Sequence, residues 1–113
     1  MDSPQTYAGY AACIEACNAC AAACNHCAVS CLQERDVQHM ARCVALDMDC
    51  VAACQFAAGL MARGGDFVVV SCLLCADICD ACAKECRRHD APHCQACAKA
   101  CSACAVECRA MEG

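Results

Sequence analysis

Cysteine recurs along this chain in steps of three and four. After Asp90-Ala91-Pro92 it stands at Cys94, Cys97, Cys101, Cys104 and Cys108, filling every a and d step of that run. The same rhythm sets Cys13, Cys17, Cys20, Cys24, Cys27 and Cys31, and again Cys72, Cys75, Cys79, Cys82 and Cys86. Residues three and four apart share one helical face, so each run predicts a helix with a stripe of thiols where a bundle ordinarily carries leucines. A sparser stripe, Cys43, Cys50 and Cys54, lies between them. At about 100° per residue, Asp47 projects about 40° from Cys43 and Leu46 about 60° to the other side, so this second helix presents a mixed wall.

The polar positions mark where these helices begin and end. Ser3-Pro4 reads as an N-cap followed by the first helical residue, and an alanine-rich helix runs from there to about Leu32. Gln33-Glu34-Arg35 breaks it, and Asp36 is placed to cap a second helix from roughly Val37 to Ala62. Arg63-Gly64-Gly65-Asp66 stops that helix, with Asp66 as the cap of the next. Phe67-Val68-Val69-Val70 alone would read as a strand. It is assigned to a helix because the strict period of Cys72 to Cys86 follows at once and a lone strand would have no sheet to join. Asp90 reads as the last N-cap, with Pro92 in a first turn that needs no helical donor, and the final helix runs to about Ala110. Four helices of similar length on short connections predict an all-α, antiparallel up-down-up-down bundle, with 1–113 forming a single domain.

Composition changes what fills that bundle. The chain is 61% hydrophobic, but nineteen cysteines and many alanines supply most of it, with two Phe, two Tyr and no Trp. An ordinary apolar core would be thin, so stability is expected from helix propensity, close packing of small residues and association. Val70, Leu73, Phe56 and Met48 project away from the thiol stripes, which points to burial against another copy of the chain. The net charge of -5 excludes the basic stripe that a nucleic-acid partner requires. No uninterrupted apolar run approaches about 18 residues, so no membrane span is expected. The opening MDSPQTYAGY has neither a basic nor an apolar signal region, so export is not indicated.

So many cysteines in a short chain usually mean a disulfide scaffold. The odd count, the absence of a signal-like start and the regular helical spacing all oppose that reading. Structural zinc prefers isolated tetrahedral sets, and the C-x-x-C pairs at Cys17/Cys20 and Cys101/Cys104 are embedded in a continuous repeat. The iron–sulfur run C-x-x-C-x-x-C-x-x-x-C-P is absent. A redox C-x-x-C needs one exposed, low-pKa thiol and does not explain nineteen. Multiple Cu(I) ions fit better, because Cu(I) is soft and selects thiolate, and one thiolate can bridge two ions. Each Cu(I) that displaces one thiol proton also leaves the local charge unchanged, so a long buried array can fill without mounting repulsion.

The bundle topology gathers His26, His39, His89 and His93 towards one end, with Cys31, Cys86 and Cys94. Cys13, Met61, Cys72 and Cys108 fall at the other, as does Met111. The histidines read either as a mouth where imidazoles pass copper inwards or as loop and surface residues, with His26 beside the ridge. Met61 and Met111 read as packing or as thioether ligands, and Asp47 as a copper ligand, a charge balance or a polar side position. No pocket combining a nucleophile, an oriented base and an electrophilic group emerges, so no enzyme is expected. The competing reading is a thiol-rich structural or stress protein that binds zinc or buffers redox chemistry.

The cysteine-lined four-helix pattern, from Cys13 to Cys108, resembles the bacterial copper storage proteins, and specifically their signal-less cytosolic branch. The resemblance implies storage of many Cu(I) ions inside the bundle by the nineteen cysteines. It places His39, His89 and His93 near the opening and Asp47 as an auxiliary ligand. It further implies a cytoplasmic homotetramer.

Overall fold

The computed structural model describes residues 7–111. Among these, four α-helices follow one another: α1 (Tyr7–Leu32), α2 (Ala41–Arg63), α3 (Val68–Arg87) and α4 (Pro92–Ala110). A 3-10 turn, Val37–Met40, leads into α2, so the second helix expected from Val37 starts as a tighter coil. No strand occurs among the described residues, and the valine run of 68–70 opens α3. Local β propensity yields here to the thiol face that the rest of the helix must bury. Helix α1 packs on α2 and α4, and α3 on the same two, which makes a square antiparallel bundle.

The turns follow the sequence signals in part. Asp36 accepts the His39 backbone N–H at 3.3 Å through Oδ1, as a cap should. Gly64 ends α2 at φ 70°, a left-handed conformation natural to glycine, and its N–H donates to the Leu60 carbonyl at 2.8 Å. Two expected caps fall elsewhere. Phe67, rather than Asp66, occupies the N-cap of α3, without a side-chain bond. Ala91, rather than Asp90, caps α4 at φ −57°, ψ 137°, because the residue before proline is driven into extended backbone and Pro92 itself starts the helix. The cap expected at Ser3-Pro4 lies outside the described residues.

The bundle buries one thiol stripe from each helix. Cys13 is 1% exposed and the other cysteines are 0%. Ala21, Ala28, Ala57, Ala76, Ala83, Ala98 and Ala105 fill the seams between helices, and their small side chains let the backbones approach. Tyr10, Met61 and Val68 are buried at the end formed by the start of α1, the end of α2 and the start of α3. Met40 is buried at the opposite end. The segment Val37–Arg63 is long and apolar enough to cross a membrane by length and composition. Its inner face nevertheless carries Cys43, Asp47, Cys50 and Cys54, and its outer face Arg42 and Asp49, which suits a bundle helix.

Outside, Met48, Phe56 and Val70 are exposed, as their helical projection requires. Leu73 is only half-buried, and its neighbour Leu74 takes the exposed position instead. Leu74 follows Val70 by four residues and continues its ridge, whereas Leu73 directly follows Cys72 and is drawn towards the seam. Arg109 of α4 clasps Asp77 and Asp80 of α3 at 2.9 and 2.7 Å.

Candidate metal centre

All nineteen cysteines are free thiols. Near the Met61 end, Cys13 and Cys108 lie 3.7 Å apart, Cys17 and Cys104 3.7 Å, and Cys54 and Cys75 3.7 Å. In the middle, Cys20 is 3.6 Å from both Cys50 and Cys101 and 3.9 Å from Cys79 across the bundle diagonal. Further along, Cys24 meets Cys97 at 3.5 Å, Cys43 meets Cys86 at 3.5 Å, and Cys31 meets Cys94 at 3.8 Å. Three sulfurs spaced 3.5–4.0 Å apart surround a point about 2.0–2.3 Å from each, close to a metal–thiolate bond of about 2.3 Å. The spacing that close packing gives the thiols is therefore also a ligand spacing.

These thiols form sets that share members. Cys17, Cys54, Cys75 and Cys104 make one, and Cys20, Cys50, Cys54 and Cys79 the next. Cys20, Cys24, Cys50 and Cys101 overlap the second, and Cys24, Cys82, Cys97 and Cys101 continue from there. A shared sulfur can bridge two ions, so the array is a continuous soft-donor column. Burial pushes the Cys94 thiol up to about 11 and raises Cys31 for the same reason. Thiols held neutral in this way each give up one proton on becoming a metal-bound thiolate, whether they bind one ion or bridge two.

Asp47 is 0% exposed, deeper than a side position in a mixed wall would be. Its Oδ1 accepts from Cys82 at 3.2 Å, Cys97 at 3.3 Å and Cys86 at 3.7 Å, and Oδ2 from Cys43 at 4.0 Å. Burial, with the nearby Cys97 sulfur second, pushes its carboxyl up to about 8. The sequence signal was its spacing: 43, 47, 50 and 54 keep the four-three-four rhythm, and a carboxylate fills the step where a thiol is missing. Met40, three residues before Cys43, continues the same stripe to the bundle end, and sequence reasoning passed over it.

The histidines separate into distinct environments. His93 Nδ1 lies 3.5 Å from the Cys94 sulfur, 3.6 Å from Cys27 and 3.9 Å from Cys31, and these four residues form a further set. Its Nε2–H donates to Glu34 Oε2 at 2.9 Å. His89 is buried and donates Nε2–H to Glu85 Oε2 at 2.9 Å, while Glu85 also accepts from Arg88 at 3.1 Å. His39 is exposed, its ring edge-on to His89 with centroids 5.0 Å apart. Imidazole therefore meets thiol at His93, while His39 and His89 meet each other edge to face. His26 is exposed on the outside of α1, and Met111 is half-buried. Met61 is fully buried.

A helical bundle whose axis is a column of overlapping thiol sets defines a protein that holds soft metal ions in number. The sequence profile of the family described as copper storage protein matches residues 6–113, and the chain belongs to that family. It is 51% identical over 84 residues to the uncharacterized cysteine-rich protein YhjQ of Bacillus subtilis (strain 168), covering 74% of this chain and 78% of that one. It is similar to Cu(I)-bound copper storage protein BsCsp3, with 49% identity and a TM-score of 0.88 over 92% of this chain and 98% of that chain. It is also similar to a cytosolic copper storage protein of Streptomyces lividans loaded with five coppers, with 38% identity and a TM-score of 0.89 over 93% and 92% of the two chains.

Proposed function

We propose that this chain stores many Cu(I) ions on cysteine thiolates along the axis of its bundle. The observation that carries the reading is the overlap of the buried thiol sets, which lets one sulfur serve two ions. Charge supports it. No Lys or Arg is buried among the described residues, so a row of divalent ions on four thiolates each would accumulate negative charge in a low-dielectric core. A monovalent soft ion taken up with loss of one thiol proton adds none.

The ligands are the nineteen cysteines, with His93 completing the outermost set, His39 and His89 at the mouth and Asp47 as an auxiliary oxygen donor. Residues 1–113 act as one storage domain. Binding and release require no turnover, so the chain is not an enzyme. The likeness to a cytosolic storage protein supports a cytoplasmic location. A homotetramer accords with the exposed Met48, Phe56, Val70 and Leu74 and with a groove of about 490 Å³ lined by Phe56, Leu74, Ile78 and Asp49.

Anaerobic titration of the reduced protein with Cu(I) against a competing chelator tests the reading. The expected stoichiometry is on the scale of the cysteine count. Saturation at one or two Cu(I), with zinc held far more tightly, would overturn it.

A further inference from the structure

Resting on the storage reading, we propose that Glu34 is the positioning residue for His93, fixing its imidazole as the Nε2–H tautomer and aiming the bare Nδ1 at Cys27, Cys31 and Cys94. Glu34 belongs to the turn after α1 and His93 to the first turn of α4, 59 residues apart, so only the fold brings them together. An ionised carboxylate can only accept, so at 2.9 Å from Glu34 Oε2 the Nε2 nitrogen carries the hydrogen. A neutral imidazole has one N–H, which leaves Nδ1 with its lone pair. That nitrogen faces the three thiol sulfurs at 3.5–3.9 Å, and in this tautomer its one lone pair can accept an S–H from among them.

The same lone pair would be available to an ion that replaced those thiol protons. Were the ring to adopt the other tautomer, its N–H would project into the sulfur set and close that coordination position. A carboxylate that takes the far N–H of a ligating histidine fixes both tautomer and ring orientation. His89 has a similar pair with Glu85, yet its ring abuts His39. At His93 the same device leaves the far nitrogen facing three thiols.

The test uses full-length protein with 15N-labelled histidine, reduced and metal-free, with folding of each variant confirmed by circular dichroism. Long-range 1H–15N spectra should show Nε2–H and pyridine-type Nδ1 for His93 in the wild type. Glu34→Leu should convert the ring to the other tautomer or a mixture, and Glu34→Gln, whose side-chain carbonyl still accepts, should restore the wild-type pattern. Cu(I) is then added anaerobically and stripped with a chelator while the metal-shifted His93 Nδ1 resonance is followed. Glu34→Leu should lose that signal at about ten-fold lower chelator concentration, the low end of what such outer partners contribute, with Glu34→Gln near wild type. A purely structural tie would move stability but leave the tautomer unchanged. An unchanged tautomer and unchanged stripping in Glu34→Leu would overturn the proposal even with total capacity intact. If the wild type instead saturated at one or two Cu(I), the storage reading would fall, and the metal-free tautomer comparison would still decide the role of Glu34.

Discussion

Cys82 donates its S–H to Asp47 Oδ1 at 3.2 Å, joining α3 to α2 in the interior of the bundle. The carboxyl group it meets is raised by burial to about 8 from an ordinary 3.8. Between those values the folded chain keeps a proton that the unfolded chain has lost. The stability linked to this group is therefore full below about pH 4, declines as pH rises to about 8, and is gone above that. In reduced, metal-free protein, Asp47→Asn should remove this component of the pH slope. Denaturant unfolding between pH 4 and 9, followed by circular dichroism, measures it. Identical slopes in the two proteins would contradict the assignment.

The two ends of the bundle should respond differently to mutation. Met61→Ala empties a fully buried site and is expected to destabilise the protein by about 2–5 kcal/mol. The combined replacement of His39, His89 and His93 should slow Cu(I) uptake and chelator-driven removal while leaving most capacity in the cysteines. Anaerobic stopped-flow loading compares the rates. A large rate defect in Met61→Ala beside unchanged kinetics in the triple variant would place the mouth at the other end.

Association should run through the outer ridges of α2 and α3. Phe56 and Leu74 are both exposed and line the same groove. Phe56→Glu with Leu74→Glu should shift the protein towards monomer in sedimentation at micromolar concentration, with helicity retained. A wild type that is already monomeric, both empty and loaded, would remove the basis for this prediction.

Helix formation should precede metal binding. Alanine favours helix intrinsically, and Asp36 and Gly64 satisfy backbone groups at helix ends without any ion. Metal-free reduced protein should give a strongly helical far-ultraviolet spectrum with all its thiols titratable. A coil that folds only on addition of Cu(I) would be the contrary result.

The three-four rhythm made four helices and their inner faces legible, because a thiol stripe has only one place to go in a small bundle. It also overrode the strand-like Phe67–Val70. Cap positions were harder to read. Pro92 forces extended backbone onto Ala91, and this local steric effect displaced Asp90 from the role its side chain suggested. At the site, the sequence left Asp47 open between a ligand, a charge balance and a polar side position, and the fold, which follows phase, buries it among the thiols. Topology correctly gathered His39, His89 and His93 at one end. It could not show that Glu34 and Glu85 would each take an imidazole N–H, since those pairs depend on side-chain directions set only once the helices pack.

The free thiols have one more consequence. Neighbouring sulfurs rest 3.5–4.0 Å apart, while a disulfide requires about 2.05 Å and a narrow torsion. Closing any pair means dragging two helical side chains together by roughly 1.5–2 Å inside close-packed surroundings, which resist such movement. Sulfenic acid formation also requires an oxidant to reach sulfurs that solvent barely touches. Helical packing thus works against disulfide closure, so the empty bundle should keep its thiols in the reduced form that the next ion needs, and a thiol count after exposure to air measures it.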